Sequence, residues 1–119
     1  MKVYVAGALS SKEKKDRTPS EIVVDYLNNV HDMIDVAVKL RKLGYAPYIP
    51  ALDLLMGVES GAMNEEDYRG CSNEFLPICD AMLVISMSWG VKQEIVLAMN
   101  SNVPVYFSIE DLVRRKPPC

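Results

Sequence analysis

The sequence is short of the residues that build metal centres and disulfide frameworks. It has one histidine, His31, and three cysteines, Cys71, Cys79 and Cys119. An odd set of thiols without metal-type spacing argues against a zinc cluster and a stapled secreted scaffold, and reads as reduced cysteines of a cytosolic protein. Basic charge is also scarce: 13 Lys and Arg stand against 16 Asp and Glu, a formal net charge of -3. Nothing in that balance points to a polyanion, so a nucleic acid polymer is not an expected partner. No apolar run reaches the ~18 residues of a membrane span, and the first residues pass directly into a strand pattern without a cleavable signal. The expectation is a cytoplasmic protein with no membrane partner. Glycine, finally, is thin where nucleotide-binding loops concentrate it. Ala6-Gly7-Ala8-Leu9-Ser10, after the first strand pattern, has neither Walker A nor GxGxxG spacing, which excludes those two readings.

What is present is ordinary globular composition, 50% hydrophobic and 24% charged over 119 residues, enough for one modest core in a single domain, 1–119. Residues 2–6 alternate and are rich in β-branched and aromatic side chains, predicting a strand that turns at Gly7. Residues 10–19 read as a polar loop, either solvated or able to catch a phosphate through Lys12, Lys14, Lys15 and Arg17. Thr18-Pro19-Ser20-Glu21 has the form of a capping box with proline at the first helical position. Beyond it Val23, Tyr26, Leu27, Val30, Met33, Ile34, Ala37 and Leu40 recur at three and four, predicting one apolar stripe against a sheet, ended by Gly44. His31 lies off that stripe and reads as a surface residue. A short strand follows at 45–49, then a helical turn and a loop around Gly57 and Gly61, then a helix from 64 or 65 to 78. The continuous apolar run 81–86 marks a strand buried on both faces. A helix from Ser88 or Gly90 to about Asn100, a strand at 103–107 and a helix at 110–115 complete the chain. This alternation predicts an α/β fold, a three-layer doubly wound parallel sheet of Rossmann/flavodoxin-like type with strand order 2-1-3-4.

In such sheets ligands bind beyond the carboxyl ends of strands. That rule selects the segment at Gly7 to Ser10 and the segment Ser88-Trp89-Gly90-Val91-Lys92-Gln93-Glu94. Gly90 allows close approach of backbone to a ligand, and Ser88 can cap the helix or donate to an anion at its positive end. Glu94 has Val91, Ile95 and Ala98 at helical spacing, so its carboxylate lies on or beside the inward face. A carboxylate there serves as a nucleophile kept ionised by the helix dipole, or it sits at the stripe's margin and reaches solvent or a backbone amide. Trp89 suits a base-stacking or pocket-mouth position, or an interface. Met56, Met63 and Met87 suit a pocket lining or, by default, the core.

Taken in order, these segments resemble the nucleoside 2-deoxyribosyltransferase and nucleoside 5′-monophosphate N-hydrolase family. Met1-Lys2-Val3-Tyr4-Val5-Ala6-Gly7 is similar to its opening strand, Cys79-Asp80 with residues 81–85 to its aspartate and buried strand, and Ser88-x-Gly90-Val91-x-x-Glu94 to its catalytic helix. The resemblance implies Glu94 as nucleophile at the sugar C1′ and Tyr4 as the hydroxyl that orients it, with Gly7, Ser10, Ser88 and Gly90 lining the substrate pocket. It implies a nucleoside or nucleoside 5′-monophosphate as partner, no cofactor or metal, and a homodimer or higher homo-oligomer. Ser88 matches the serine that the hydrolase branch places on the 5′-phosphate, which favours monophosphates and hydrolysis. The sequence departs from the family at the aspartate expected eight residues before Asp80: Ser72 stands there. Glu74 or Asp67 then substitutes as proton donor, or the chain is a non-catalytic nucleotide-binding or signalling module on the same fold. The Rossmann-like group that cleaves cytokinin-type nucleotides needs a fuller glycine-rich loop, and a phosphoacceptor receiver domain needs an acidic pair where Gly7-Ala8-Leu9 stands.

Overall fold

A computed structural model describes residues 1–9 and 16–118. Four strands, β1 (Lys2–Ala6), β2 (Ala46–Tyr48), β3 (Ala81–Val84) and β4 (Val105–Tyr106), form one all-parallel sheet in the order β2-β1-β3-β4. Between and after them run α1 (Pro19–Lys42), α2 (Asp53–Ser60), α3 (Glu65–Phe75), α4 (Trp89–Asn100) and α5 (Ile109–Arg115). The α/β class and the strand order 2-1-3-4 are those the alternation predicts. The chain leaves β1 in one direction to reach β2 and in the other to reach β3 and β4, so right-handed connections send α1 and α4 to opposite faces.

β1 feeds both faces. Val3 and Val5 pack with Met33, Leu40, Leu83 and Leu112 beneath α1 and α5. Tyr4 and Ala6 pack with Leu76, Met82, Val91 and Ala98 beneath α3 and α4. Successive strand side chains point to opposite faces, and every residue from Val3 to Ala6 is buried, as the central strand of a two-faced sheet must be.

The α1 capping box is present, with Thr18 accepting from the Glu21 amide and Glu21 returning to the Thr18 amide. Its expected single stripe is not, however, all turned to the sheet. Met33, Ala37 and Leu40 are buried, whereas Val23 is 58% and Leu27 63% exposed, with Ile34 and Val38 also outward. Ile34 and Val38, beside the buried Met33 and Ala37, lie at the outer margin of the stripe. Length accounts for Val23 and Leu27: 24 residues of helix run about 36 Å, and a five-residue strand about 17 Å. The N-terminal half of α1 overhangs the sheet.

The 51–64 region, expected as a helical turn and a loop, holds a 3-10 turn at Pro50–Leu52 and the eight-residue α2. Gly57 sits inside α2 because α3 crosses there: a Cβ on it would lie 1.6 Å from the Tyr68 hydroxyl oxygen. Gly61, at φ 64°, ends the helix. α3 begins at an Asn64–Asp67 capping box and tightens into a 3-10 turn at Leu76–Ile78, where Pro77 has no N–H to continue the ladder. β4 is shorter than the 103–107 run, since Val103 gives its N–H to Ala98 and Pro104 has none to give; the Pro104 carbonyl still accepts from Met82 at 2.9 Å. Among the described residues no helix is long and apolar enough to cross a membrane.

Candidate active site

A cavity of about 620 Å³ opens at the carboxyl ends of β1, β2 and β3, within the usual size for a small-molecule site. Glu94 lies on its wall, one turn into α4, and is half-buried. Behind it stands Tyr4, fully buried in mid-β1, whose hydroxyl is hydrogen-bonded to the Glu94 carboxylate and lies 3.0 Å from the Ser72 hydroxyl. Tyr4 has a single proton, which an ionised Glu94 accepts, so the Ser72 hydroxyl is left to donate to the phenolic oxygen.

Burial pushes the Glu94 carboxyl above the ordinary glutamate range, and the Tyr4 hydrogen bond pulls it back. Burial first, and the Glu94 charge second, push the Tyr4 phenol up, which keeps it a neutral donor. The pair is therefore a partly desolvated carboxylate held in one orientation by a rigid strand residue. Such a carboxylate can attack an electrophilic carbon presented from the cavity.

Ser88 is the N-cap of α4, its oxygen accepting from the Val91 amide at 3.2 Å, and it too lines the cavity. Gly90 beside it faces open space, for a Cβ there would meet only the Ser88 oxygen at 3.8 Å. Gly7 lines the cavity from the other side. It is packed closely, since a Cβ would stand 2.9 Å from Ile85 and 3.1 Å from Met33, so the turn there depends on glycine. Glu94, Tyr4, Gly7, Ser88 and Gly90 thus come together at one place. Ser10 lies outside the described residues, as do Lys12, Lys14 and Lys15.

Neither of the expected proton donors belongs to the wall. Glu74 is exposed, and Asp67 is engaged in the α3 cap, its carboxylate accepting from the Asn64 amide at 2.9 Å. Asp80 accepts from the Lys2 amide at 2.7 Å and ties β1 to the start of β3. Met56 and Met87 are exposed, and neither they nor Met63 line the cavity. Trp89 does, 66% exposed, with the Arg69 guanidinium 5.5 Å above its ring. His31 is on the surface, paired with Asp35 at 3.4 Å.

The wall also holds residues that the sequence pattern did not single out: Asp53, Glu65, Tyr68, Arg69 and Asn73. Asp53 is reached by Tyr48, whose hydroxyl donates to it at 3.2 Å. Tyr48 is the β2 register partner of Tyr4, with ring centroids 5.6 Å apart, and stacks on Phe75 at 4.8 Å. The signal for Asp53 lay in the same rule that selected Ser88, for the segment beyond the carboxyl end of β2 is as much a ligand position as those beyond β1 and β3. No protein-family model, curated protein or solved structure matches the chain.

Proposed function

We propose that the protein cleaves the N-glycosidic bond of a nucleoside or nucleoside 5′-monophosphate, with Glu94 as nucleophile and Tyr4 as its positioning hydroxyl. One observation carries this reading: a half-buried carboxylate, hydrogen-bonded by a buried tyrosine, on the wall of a cavity of about 620 Å³. Attack of the Glu94 oxygen on C1′ displaces the base through an oxocarbenium-like transition state and leaves a glycosyl ester. Water then gives hydrolysis, and a second base gives transfer. The start of α4, with the Ser88 hydroxyl and the space over Gly90, suits a 5′-phosphate, because free amides at a helix N-terminus favour an anion. This is the activity implied by the resemblance to the nucleoside 2-deoxyribosyltransferase and monophosphate N-hydrolase family. The reading places the protein in the cytoplasm as a homo-oligomer, for which the exposed apolar residues of α1 offer a surface.

A non-catalytic nucleotide-binding module is the second reading. Its support is Ser72, a hydroxyl turned to Tyr4 at the position where the family carries an acid.

A panel of nucleosides and 5′-monophosphates, with free base followed by chromatography, separates the two. Base release is expected, faster from monophosphates, and Glu94→Ala should reduce it by about 10³-fold or more. Ligand binding without release by the wild type would select the module.

A further inference from the structure

A nucleobase leaves as a poor anion unless a proton reaches it, and a positioned acid is worth ~10²–10⁴-fold. The cavity wall that carries Glu94 has two other carboxyl groups, Asp53 and Glu65. Glu65 is paired with the Arg69 guanidinium at 2.7 Å. Asp53 has a different environment. Its one side-chain partner among the described residues is the neutral Tyr48 hydroxyl, which occupies Oδ2. Oδ1 has no protein partner among the described residues.

The sheet sets two tyrosines side by side. Tyr4 and Tyr48 are paired in register on adjacent strands, their rings 5.6 Å apart. The hydroxyl of the first holds Glu94, delivered by α4, and that of the second holds Asp53, delivered by α2. Two neighbouring tyrosines thus hold two carboxyl groups on the wall of one cavity, and a pair of carboxyl groups acting as nucleophile and acid is what cuts glycosidic bonds.

Resting on the N-glycosidase reading of this cavity, we propose that Asp53 is the acid that protonates the departing base. As the Glu94 oxygen bonds to C1′, the C1′–N electron pair withdraws into the base, and the Asp53 proton passes to a base ring nitrogen. Neutral base leaves, and Asp53 is a carboxylate. Water then attacks C1′ of the glycosyl ester, Asp53 accepts its proton, and Glu94 departs as carboxylate. The sum is nucleoside plus water giving base plus sugar, with both side chains restored. Tyr48 acts as a positioning residue through Asp53.

The test compares purine 5′-monophosphates with their N7-methylated counterparts, whose base is already cationic and leaves without a proton. Asp53→Asn should lower kcat on the unmethylated substrates by about 100-fold or more, with KM changed less than about threefold. On the methylated ones the loss should stay below about tenfold. Tyr48→Phe should give a smaller loss with the same selectivity, and it decides the matter if Asp53→Asn does not fold. Equal losses on both substrate types, no loss at all, or no release from purine substrates by the wild type overturns the role of Asp53. Should Glu94→Ala still abolish release from any member of the panel, the parent reading stands without it. Release that survives Glu94→Ala, or no release from any nucleotide, overturns both.

Discussion

The two faces of the sheet have opposite chemistry although one strand supplies both. Beneath α1 and α5, the β1 residues Val3 and Val5 meet Met33, Leu40, Leu83 and Leu112. The hydrogen-bonding tyrosine of that layer is Tyr45, whose hydroxyl donates to the Lys116 carbonyl at 2.8 Å. Beneath α3 and α4, the same strand contributes Tyr4, and with Tyr48 it leads outward to Glu94 and Asp53. Buried polarity is costly unless bonded, and among the described residues no buried side-chain polar atom lacks a partner. Residue parity in β1 therefore separates two tasks. Odd positions hold the fold together, and Tyr4 in the even set carries a polar pair into the cavity wall at a cost that its hydrogen bonds offset.

The sharpest way to break this comparison is to damage each face by a similar deletion. Leu83→Ala, in the layer away from Glu94 and Asp53, should cost ~2–5 kcal/mol by chemical denaturation. Base release by the fraction still folded should be little changed. Tyr4→Phe removes one oxygen and should cost less stability, ~1–3 kcal/mol for the donor that Glu94 loses. Its activity should fall about 100-fold, as expected when a reacting group is misplaced by a small distance. A Tyr4→Phe protein with full activity would end the division of labour between the faces.

A smaller effect sharpens it from the other side. Burial raises the folded-state pKa of Glu94 above the ordinary glutamate range, so the folded chain binds that proton more tightly than the unfolded chain. The stability this contributes is fully present below the unfolded value and is lost as pH rises through the raised folded value. Glu94→Gln replaces the titrating group with a neutral one that still accepts from Tyr4. At pH 7 the variant should be more stable than the wild type, by the ~0.5–2 kcal/mol typical of relieving a functional site. The gap should narrow toward about pH 4, just below the ordinary glutamate value. A gap that does not change between the two pH values, measured by urea midpoints, would show that Glu94 carries no such burden.

Much of this was legible in the sequence because local chemistry and global fold agree. The Thr18–Glu21 capping box, Pro19 at the helix start, the apolar run at Ala81 and the Ser88 cap each announce their element. The pairing of Tyr4 with Glu94 was implied by the family resemblance, and strand parity and helix spacing agree with it. What escaped depends on tertiary contact. Gly57 reads as a loop residue until Tyr68 of α3 is seen to occupy its missing Cβ. Asp53 lies at a ligand position beyond β2, but its link to the site runs through Tyr48, which matters only through register with Tyr4. The exposure of Val23 and Leu27 reflects the shortness of the sheet, which no periodicity within the helix encodes.

The exposed apolar side of α1 gives the last and energetically smallest prediction. Val23, Leu27, Ile34 and Val38 follow one another at intervals of four, seven and four residues, which sets them on one side of α1, and all four are exposed. The intervals are the same read from either end, so an antiparallel second copy of the helix would set Val23 against Val38 and Leu27 against Ile34, as a two-fold contact requires. Leu27→Lys puts a solvated ammonium at the centre of that stripe. In a lone chain the change should stay within about 0.5 kcal/mol of wild-type stability, because the position touches water already. In an assembly built on this face it would bury an unpaired charge, which costs far more than the lost leucine contact. Light scattering across a concentration series should therefore find the wild type associated and Leu27→Lys monomeric, with unfolding midpoints of the separated chains nearly equal. A wild type that stays monomeric, or a variant that associates as tightly, would rule out α1 as an assembly surface and leave its exposed apolar side without a role.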